Sequence, residues 1–351
     1  MAYSLSVLHQ TGVPPLLDGI ATREDWERKL AGIRDTWMSY IGGLPERVPV
    51  RYQVFGETVL DDHVRIHLAY DTVYGDTVTA YLLVPIVGGV RADAAADGGE
   101  ESRLPAVLAL HPTNTTGKDD IATYPGKLNR TYAVELVARG YVVLAPDALT
   151  AGERIYPGME PFQSGPFYER HPAWTTVAKN IVDHMQGVDL LATLGYVDAG
   201  RIGAIGHSFG SYNAYFLAGF DKRIRAIAAS CGVSPFARDP NPWHWGVRAS
   251  WYTHLPRITS DLERDEVPFD FHEIIALCCP TPYFNYAAQA DHIFPHWQSV
   301  GEAMVQIAEL YEWSGAADRF VSMLGSGGHD FPPLVREMAY SFLDRWLKRG
   351  E

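Results

Sequence analysis

Cysteine is scarce in this sequence: three in 351 residues, Cys231, Cys278 and Cys279, two of them adjacent. That is too few for a disulfide framework, and no CxxC or Cys/His spacing fits a zinc site. Positive charge is also short. Lys and Arg number 29 against 42 Asp and Glu, a net charge of −13. This argues against nucleic acid or an anionic membrane as the main partner. No apolar run approaches the ~18 residues that suggest a membrane span. The opening MAYSLSVLHQTG has neither a basic n-region nor a long apolar h-region, so it does not read as a signal peptide. The expectation is a cytoplasmic protein with no nucleic-acid and no membrane partner. The first strand–helix turn has no GxGxxG and no P-loop occurs, which removes the nucleotide-binding α/β proteins. Aromatic residues are what the chain has in surplus, with 9 Trp, 19 Tyr and 14 Phe. The oligomeric state is not readable, so a homo-oligomer stays open.

Residues 1–48 read as a helical extension, because Trp26, Leu30, Ile33 and Trp37 recur on one helical face. VRYQVF, HVRIHLAY and TVTAYLLVPI then read as antiparallel strands, with a turn at Tyr74-Gly75-Asp76 between the last two. Residues 88–103 are small and polar, and read as an exposed loop. From residue 104 the pattern alternates. Short apolar runs at 105–110, 141–146, 201–206, 225–230, 282–287 and 319–324 fit strands buried on both faces. Between them lie helical periodicities such as Val177, Ile181, Met185, Val188 and Leu191, or Leu334, Met338, Phe342 and Trp346. The expected architecture is one α/β domain over 1–351, a mostly parallel central sheet flanked by helices, with antiparallel N-terminal strands. Two segments, 148–174 and 232–275, break the alternation. Both follow strands at their C-terminal ends, the edge where open α/β sheets bind ligands, and read as lid or rim insertions.

The strongest motif is Gly206-His207-Ser208-Phe209-Gly210, a G-x-S-x-G between a strand and a helix. A serine at that corner is lifted above the sheet and faces the N–H groups of the following helix. It needs a base, and the base needs an orienting carboxylate, in the chain order Ser, acid, His. His329, in the Gly-rich loop after the last strand, suits the base, with Asp330 read as an N-cap and Pro332 in the first helical turn. Asp291, just past the preceding strand, suits the acid. His292 reads as a pocket wall or a surface residue, and Asp147 precedes the nucleophile in chain order. One oxyanion donor is expected at the N–H of Phe209. The second is expected at Thr113, with Asn114 as the alternative, since Pro112 has no N–H to give. His111 reads as a buried brace for that loop.

LALHPTN, YVVLAPDALTAGER, IGAIGHSFG, PYFNYAAQAD and GSGGHDFP, in this order, resemble the α/β-hydrolase superfamily over roughly residues 50–350. Within it the chain resembles the dienelactone-hydrolase-like branch that includes acetyl-xylan-esterase-like proteins. The resemblance implies a catalytic Ser208, Asp291 and His329, and no cofactor or metal. Two departures stand out. Dienelactone hydrolases proper carry Cys at the elbow, and the usual His-Gly of the oxyanion loop is His111-Pro112 here.

The expected function is a serine hydrolase that cleaves a small-molecule carboxylic ester through an acyl-enzyme, an acetylated carbohydrate being one candidate. Two alternatives remain: a prolyl-type serine peptidase and a non-catalytic binding protein on the same fold. The roughly 50 residues before the first strand cannot supply a β-propeller, which weighs against the first. Trp243, Trp245 and Trp251, with Asn114, are the candidate substrate-binding residues, the aromatic rings standing ready to stack on sugars or aryl groups. The same tryptophans would equally serve as core of the insertion. Arg154 reads as a loop-pinning ion pair before it reads as a substrate anchor.

Overall fold

The structure, a computed structural model, describes residues 2–94, 102–123 and 130–348. A short strand β1 (Tyr3–Ser4) precedes helices α1 (Leu5–Thr11) and α2 (Arg23–Ile41). Three longer strands follow, β2 (Tyr52–Val59), β3 (His63–Asp71) and β4 (Thr77–Val87), with β5 (Val90–Arg91) folded back on β4. The alternating part runs β6 (Leu104–Leu110), α3 (Asp119–Ala122), α4 (Tyr132–Ala138), β7 (Val142–Pro146), α5 (Gly165–Arg170), α6 (Thr176–Thr193), β8 (Val197–His207), α7 (Phe209–Phe220) and β9 (Ile224–Ser230). It ends with α8 (Pro256–Glu263), β10 (Glu266–Val267), α9 (Phe271–Ala276), β11 (Tyr283–Ala288), α10 (Trp297–Trp313), β12 (Phe320–Gly325) and α11 (Pro333–Leu347).

The main sheet has the order β12-β11-β9-β8-β6-β7-β4-β3-β2. Its six strands from β12 to β7 are parallel to one another, and β4, β3 and β2 are antiparallel. Each central strand is apolar throughout because both faces are covered. On β6, Ala106, Leu108 and Leu110 join one core with α2, α6, α7 and α10. The intervening Val107 and Ala109 join the other, with α4 and α11. The period-2 alternation of a strand thus feeds two cores of period-3.6 helices. β2 lies at the rim and is exposed along its whole length.

Several sequence expectations change in detail. The 1–48 extension is not purely helical: Tyr3 and Ser4 pair antiparallel with Val267 and Glu266 of β10. The polar segment 88–103 contains the β5 hairpin, and its residues 95–101 lie outside the described residues. Asp330 does not cap α11. That helix starts at Pro333 with Pro332 at its N-cap, because proline fits the first turn, where N–H groups have no intrahelical acceptor. Much of the 232–275 segment is core, and Phe236 and Trp245 in its first half are already buried. Phe269 and Phe271 are buried and pack with Trp37, Phe216 and Phe236 in the central core, so its second half is structural.

The elbow between β8 and α7 leaves no room for a side chain at either of its glycines. A Cβ on Gly206 would collide with the Gly210 carbonyl, and one on Gly210 with the Leu110 carbonyl. These two glycines let α7 start directly above the ends of β8 and β6. Gly210→Ala is therefore expected to destabilise the fold by about 1–3 kcal/mol. The test is the urea midpoint of the purified variant; a midpoint equal to that of the parent would contradict the close-packing argument.

Candidate active site

Ser208 sits at φ 54°, ψ −116°, a backbone conformation that L-residues rarely adopt and that costs on the order of 1–3 kcal/mol. The surrounding packing holds it there. Its own N–H donates to the Ser230 carbonyl at 2.8 Å, and its carbonyl accepts from Ser211 at 2.9 Å. The corner points the hydroxyl away from the sheet. Ser208 Oγ lies 2.8 Å from His329 Nε2, and His329 Nδ1 lies 2.7 Å from Asp291 Oδ2. With Nδ1–H donating to the carboxylate, Nε2 is left to accept the serine proton. Asp291 Oδ1 accepts the N–H groups of Ile293 and Phe294 at 2.8 and 3.0 Å. Burial alone would raise the Asp291 pKa. The His329 hydrogen bond and charge, helped by those two N–H groups, outweigh it and hold the carboxyl below its usual range. The three residues predicted from the sequence therefore form one hydrogen-bonded chain.

Cys231 stands beside them. Its Sγ, an Asp291 oxygen and a His329 nitrogen lie within 4.8 Å of one another, the one set of metal-ligand spacing among the described residues. Burial, and then the Asp291 charge, push the thiol far up. A metal would want the thiolate, whereas this thiol stays protonated and faces the Asp330 carbonyl at 3.5 Å. The donor set fits a packed support for the acid better than a metal centre.

Phe209 is the first residue of α7, so its N–H has no acceptor within the helix. Thr113 lines the same cavity as Ser208 and His329. The loop carrying Thr113 is held from several sides. Tyr132 donates to the Leu110 carbonyl at 2.5 Å, His111 Nδ1–H donates to the Pro112 carbonyl at 2.7 Å, and His111 Nε2 accepts the Ala148 N–H at 3.0 Å. His111 is buried and neutral, as a brace requires; desolvation lowers its pKa. Farther along, Lys118 Nζ bonds Asp147 Oδ2 at 2.7 Å and Glu153 Oε1 at 2.5 Å. The Lys118 N–H also reaches Asp147 Oδ1 at 2.9 Å. Asp147 thus ties the loop after β6 to the loop after β7, which accounts for it without a catalytic task. Arg154 is likewise structural, bonding Asp76 and Asp183 at 2.8 and 2.9 Å.

The cavity above Ser208 measures about 570 Å3. Trp245 and Trp251 line it, but differently. Trp245 is buried, with its ring 4.2 Å from that of Phe271, and belongs to the core of the insertion as much as to the wall. Trp251 is 36% exposed, with its ring stacked on that of Phe162 at 5.4 Å. Contrary to the sequence expectation, neither Trp243 nor Asn114 lines the cavity. Trp243 points to solvent at 44% exposure, since the 3-10 turn at Pro242–Trp245 sends the two tryptophans to opposite sides. Asn114 Oδ1 turns back to accept the Thr116 N–H and hydroxyl, each at 3.0 Å, as Asn does in a local turn. His292 is a wall residue, its ring 6.0 Å from that of His329.

The sequence reading missed Tyr212, Arg130, Arg248, His244 and Phe294, all in the wall. Tyr212 had a signal, since it lies one helical turn after Ser208 and shares its face; its hydroxyl bonds His254 Nε2 at 2.8 Å. The others are brought in by loops, with no periodicity to betray them. The described wall carries two arginines and no carboxylate, in a chain of net charge −13.

Residues 168–274, which include the elbow, match the prolyl oligopeptidase family. A putative hydrolase, YtaP, of Bacillus subtilis (strain 168) is 23% identical over 314 residues, 88% of this chain and 96% of that protein. Dipeptidyl-peptidase 5 of Porphyromonas gingivalis is 32% identical over 99 residues, 28% of this chain and 13% of that one. Among solved structures, a glucuronoyl esterase from Solibacter usitatus superposes with a TM-score of 0.68 at 18% identity, over 93% of this chain and 94% of that one. A putative acetyl xylan esterase from Bacteroides fragilis does so with a TM-score of 0.65 at 15% identity, over 91% and 80%. The chain has the α/β-hydrolase fold. No helix among the described residues is long and apolar enough to cross a membrane.

Behind the cavity wall, Asp239 is buried, accepts the Asn241 N–H at 2.8 Å and stands 3.8 Å from His296 and 4.0 Å from His244. Burial pushes its pKa up to about 6, while burial drops both histidines to about 4, so neither imidazole offsets the carboxylate at neutral pH. A raised folded-state pKa means that the folded protein holds this proton to higher pH than the unfolded chain. Stability from this group is present below about pH 4 and is lost as pH rises through about 6. Asp239→Asn removes the loss. Its melting temperature should match the parent near pH 4 and exceed it at pH 8, and thermal melts at the two pH values check this.

Proposed function

We propose that the protein is a serine carboxylic ester hydrolase. The observation that carries this reading is the continuous hydrogen-bond chain from Ser208 through His329 to Asp291, at the floor of an open cavity. In the proposed reaction Ser208 Oγ attacks the ester carbonyl carbon as its proton passes to His329 Nε2. Asp291 holds the tautomer and stabilises the imidazolium. The N–H groups of Phe209 and Thr113 take the developing oxyanion, a contribution of about 3–4 kcal/mol where such a donor has been removed elsewhere. His329 then returns the proton to the leaving alcohol. Water, deprotonated by the same imidazole, attacks the acyl-enzyme and releases the acid.

Likeness to esterases over almost the whole chain supports esters as substrates. The likeness to a peptidase family concerns residues 168–274 alone, and it is the specific ground for a second reading, a prolyl-type peptidase. The two part on a simple comparison of 4-nitrophenyl acetate and acetylated xylose with a Pro-X reporter peptide. Peptide turnover without ester turnover above background would favour the peptidase.

Ser208→Ala should lower turnover of 4-nitrophenyl acetate by at least about 10³-fold and abolish covalent labelling by a fluorophosphonate. Undiminished turnover by the pure variant would sink the ester-hydrolase reading, and a parent protein that takes no label would return it to a non-catalytic binding fold.

A further inference from the structure

A second cavity, about 510 Å3, lies beside the catalytic one. It is formed between the two irregular segments, and it shares Arg248 and Trp251 with the catalytic cavity as a common wall. Its volume falls within the roughly 300–1,000 Å3 of small-molecule sites. Its lining is largely apolar, including Met159, Tyr168, Pro172, Val247 and Pro256. Three of the large apolar side chains that the molecule leaves open to solvent, Met159, Val247 and Trp251 at 36, 59 and 36% exposure, converge on it. Apolar surface gathered around a concavity, rather than scattered, marks a binding site.

The wall that Arg248 and Trp251 share between the two cavities is coupled to the elbow by ring contacts. Phe209, the residue after the nucleophile, meets Phe162 edge-on at 5.8 Å, and Phe162 stacks on Trp251 at 5.4 Å. The Arg248 guanidinium covers the Trp251 ring at 5.7 Å. Two ring contacts therefore separate the residue beside Ser208 from the second cavity.

We infer that this second cavity is the subsite for an extended apolar arm, an aliphatic chain of about six to eight carbons or an arylalkyl group, on the ester whose carbonyl lies at Ser208. The inference rests on the ester-hydrolase reading and specifies its substrate class. A sugar acetate with nothing beyond the acetyl group would leave the cavity unused. The arm enters past Trp251, exchanges water for Met159, Val247 and Pro256, and leaves the polar head of Arg248 at the rim. Each methylene fully buried there is expected to raise kcat/KM about fourfold.

The test uses the full chain and a series of 4-nitrophenyl esters from acetate to octanoate. For the parent, kcat/KM should rise at least tenfold between acetate and octanoate. Ala249→Trp, which fills the cavity from its lining loop, should lower the octanoate-to-acetate ratio at least tenfold. Val247→Asp, a change at an exposed position that needs no repacking of the core, should lower the same ratio in the same direction. A flat chain-length profile in the parent would overturn the inference while leaving the ester reading intact. A ratio unchanged in both variants would also overturn it. Failure of the parent to hydrolyse any member of the series would take down the ester reading and this inference with it.

Discussion

The hydrogen-bond chain from Ser208 through His329 to Asp291 closes because three strands end at one edge. Ser208 follows β8, Asp291 follows β11 and His329 follows β12, and the four strands β8, β9, β11 and β12 are neighbours running parallel. Parallel neighbours deliver their C-terminal ends side by side, a few ångströms apart per strand. An antiparallel β11 would send Asp291 to the opposite edge and leave His329 without an orienting acid. The crossover helices α7, between β8 and β9, and α10, between β11 and β12, keep those strands parallel, and the antiparallel strands stay at the far rim of the sheet.

Rigidity at the site comes from buried polar ties as much as from apolar packing. The Lys118–Asp147 pair, the Tyr132–Leu110 bond and the His111 brace all converge on the short loop that presents Thr113. A backbone donor can stabilise an oxyanion only if it is in place beforehand. In the proposed reaction these ties would hold the Thr113 N–H in place, in a segment with no regular structure of its own. A buried ammonium between two carboxylates is a poor source of net stability but a strict geometric constraint on the loop that carries it.

Two groups of the aromatic residues meet near the elbow. Trp37, Trp245, Phe216, Phe269 and Phe271 fill the core beneath α7. Phe162, Phe209 and Trp251 form a ladder that leads from the elbow to the partition between the cavities. The two groups are interleaved in sequence, which is why composition pointed to a pocket wall without saying which rings belong to it. The 3-10 turn at Pro242–Trp245 illustrates this: a turn of backbone separates a solvent-facing Trp243 from a buried Trp245.

The sequence by itself determined the sheet strands, the large helices, the elbow and all three members of the hydrogen-bonded site. Each leaves a local signal: apolar runs buried on two faces, period-3.6 stripes, glycines where no Cβ fits, and a polar residue just past a strand end. Those signals survive in one dimension because they arise from contacts within a strand, a helix or a turn. Only the tertiary structure decided the remainder. It retired Asn114 and Trp243 from the pocket, moved the start of α11 past Asp330, and brought Arg130, Arg248, His244 and Phe294 into the wall. Those outcomes depend on how loops distant in sequence pack against one another. An irregular backbone has no period from which the direction of a side chain can be read.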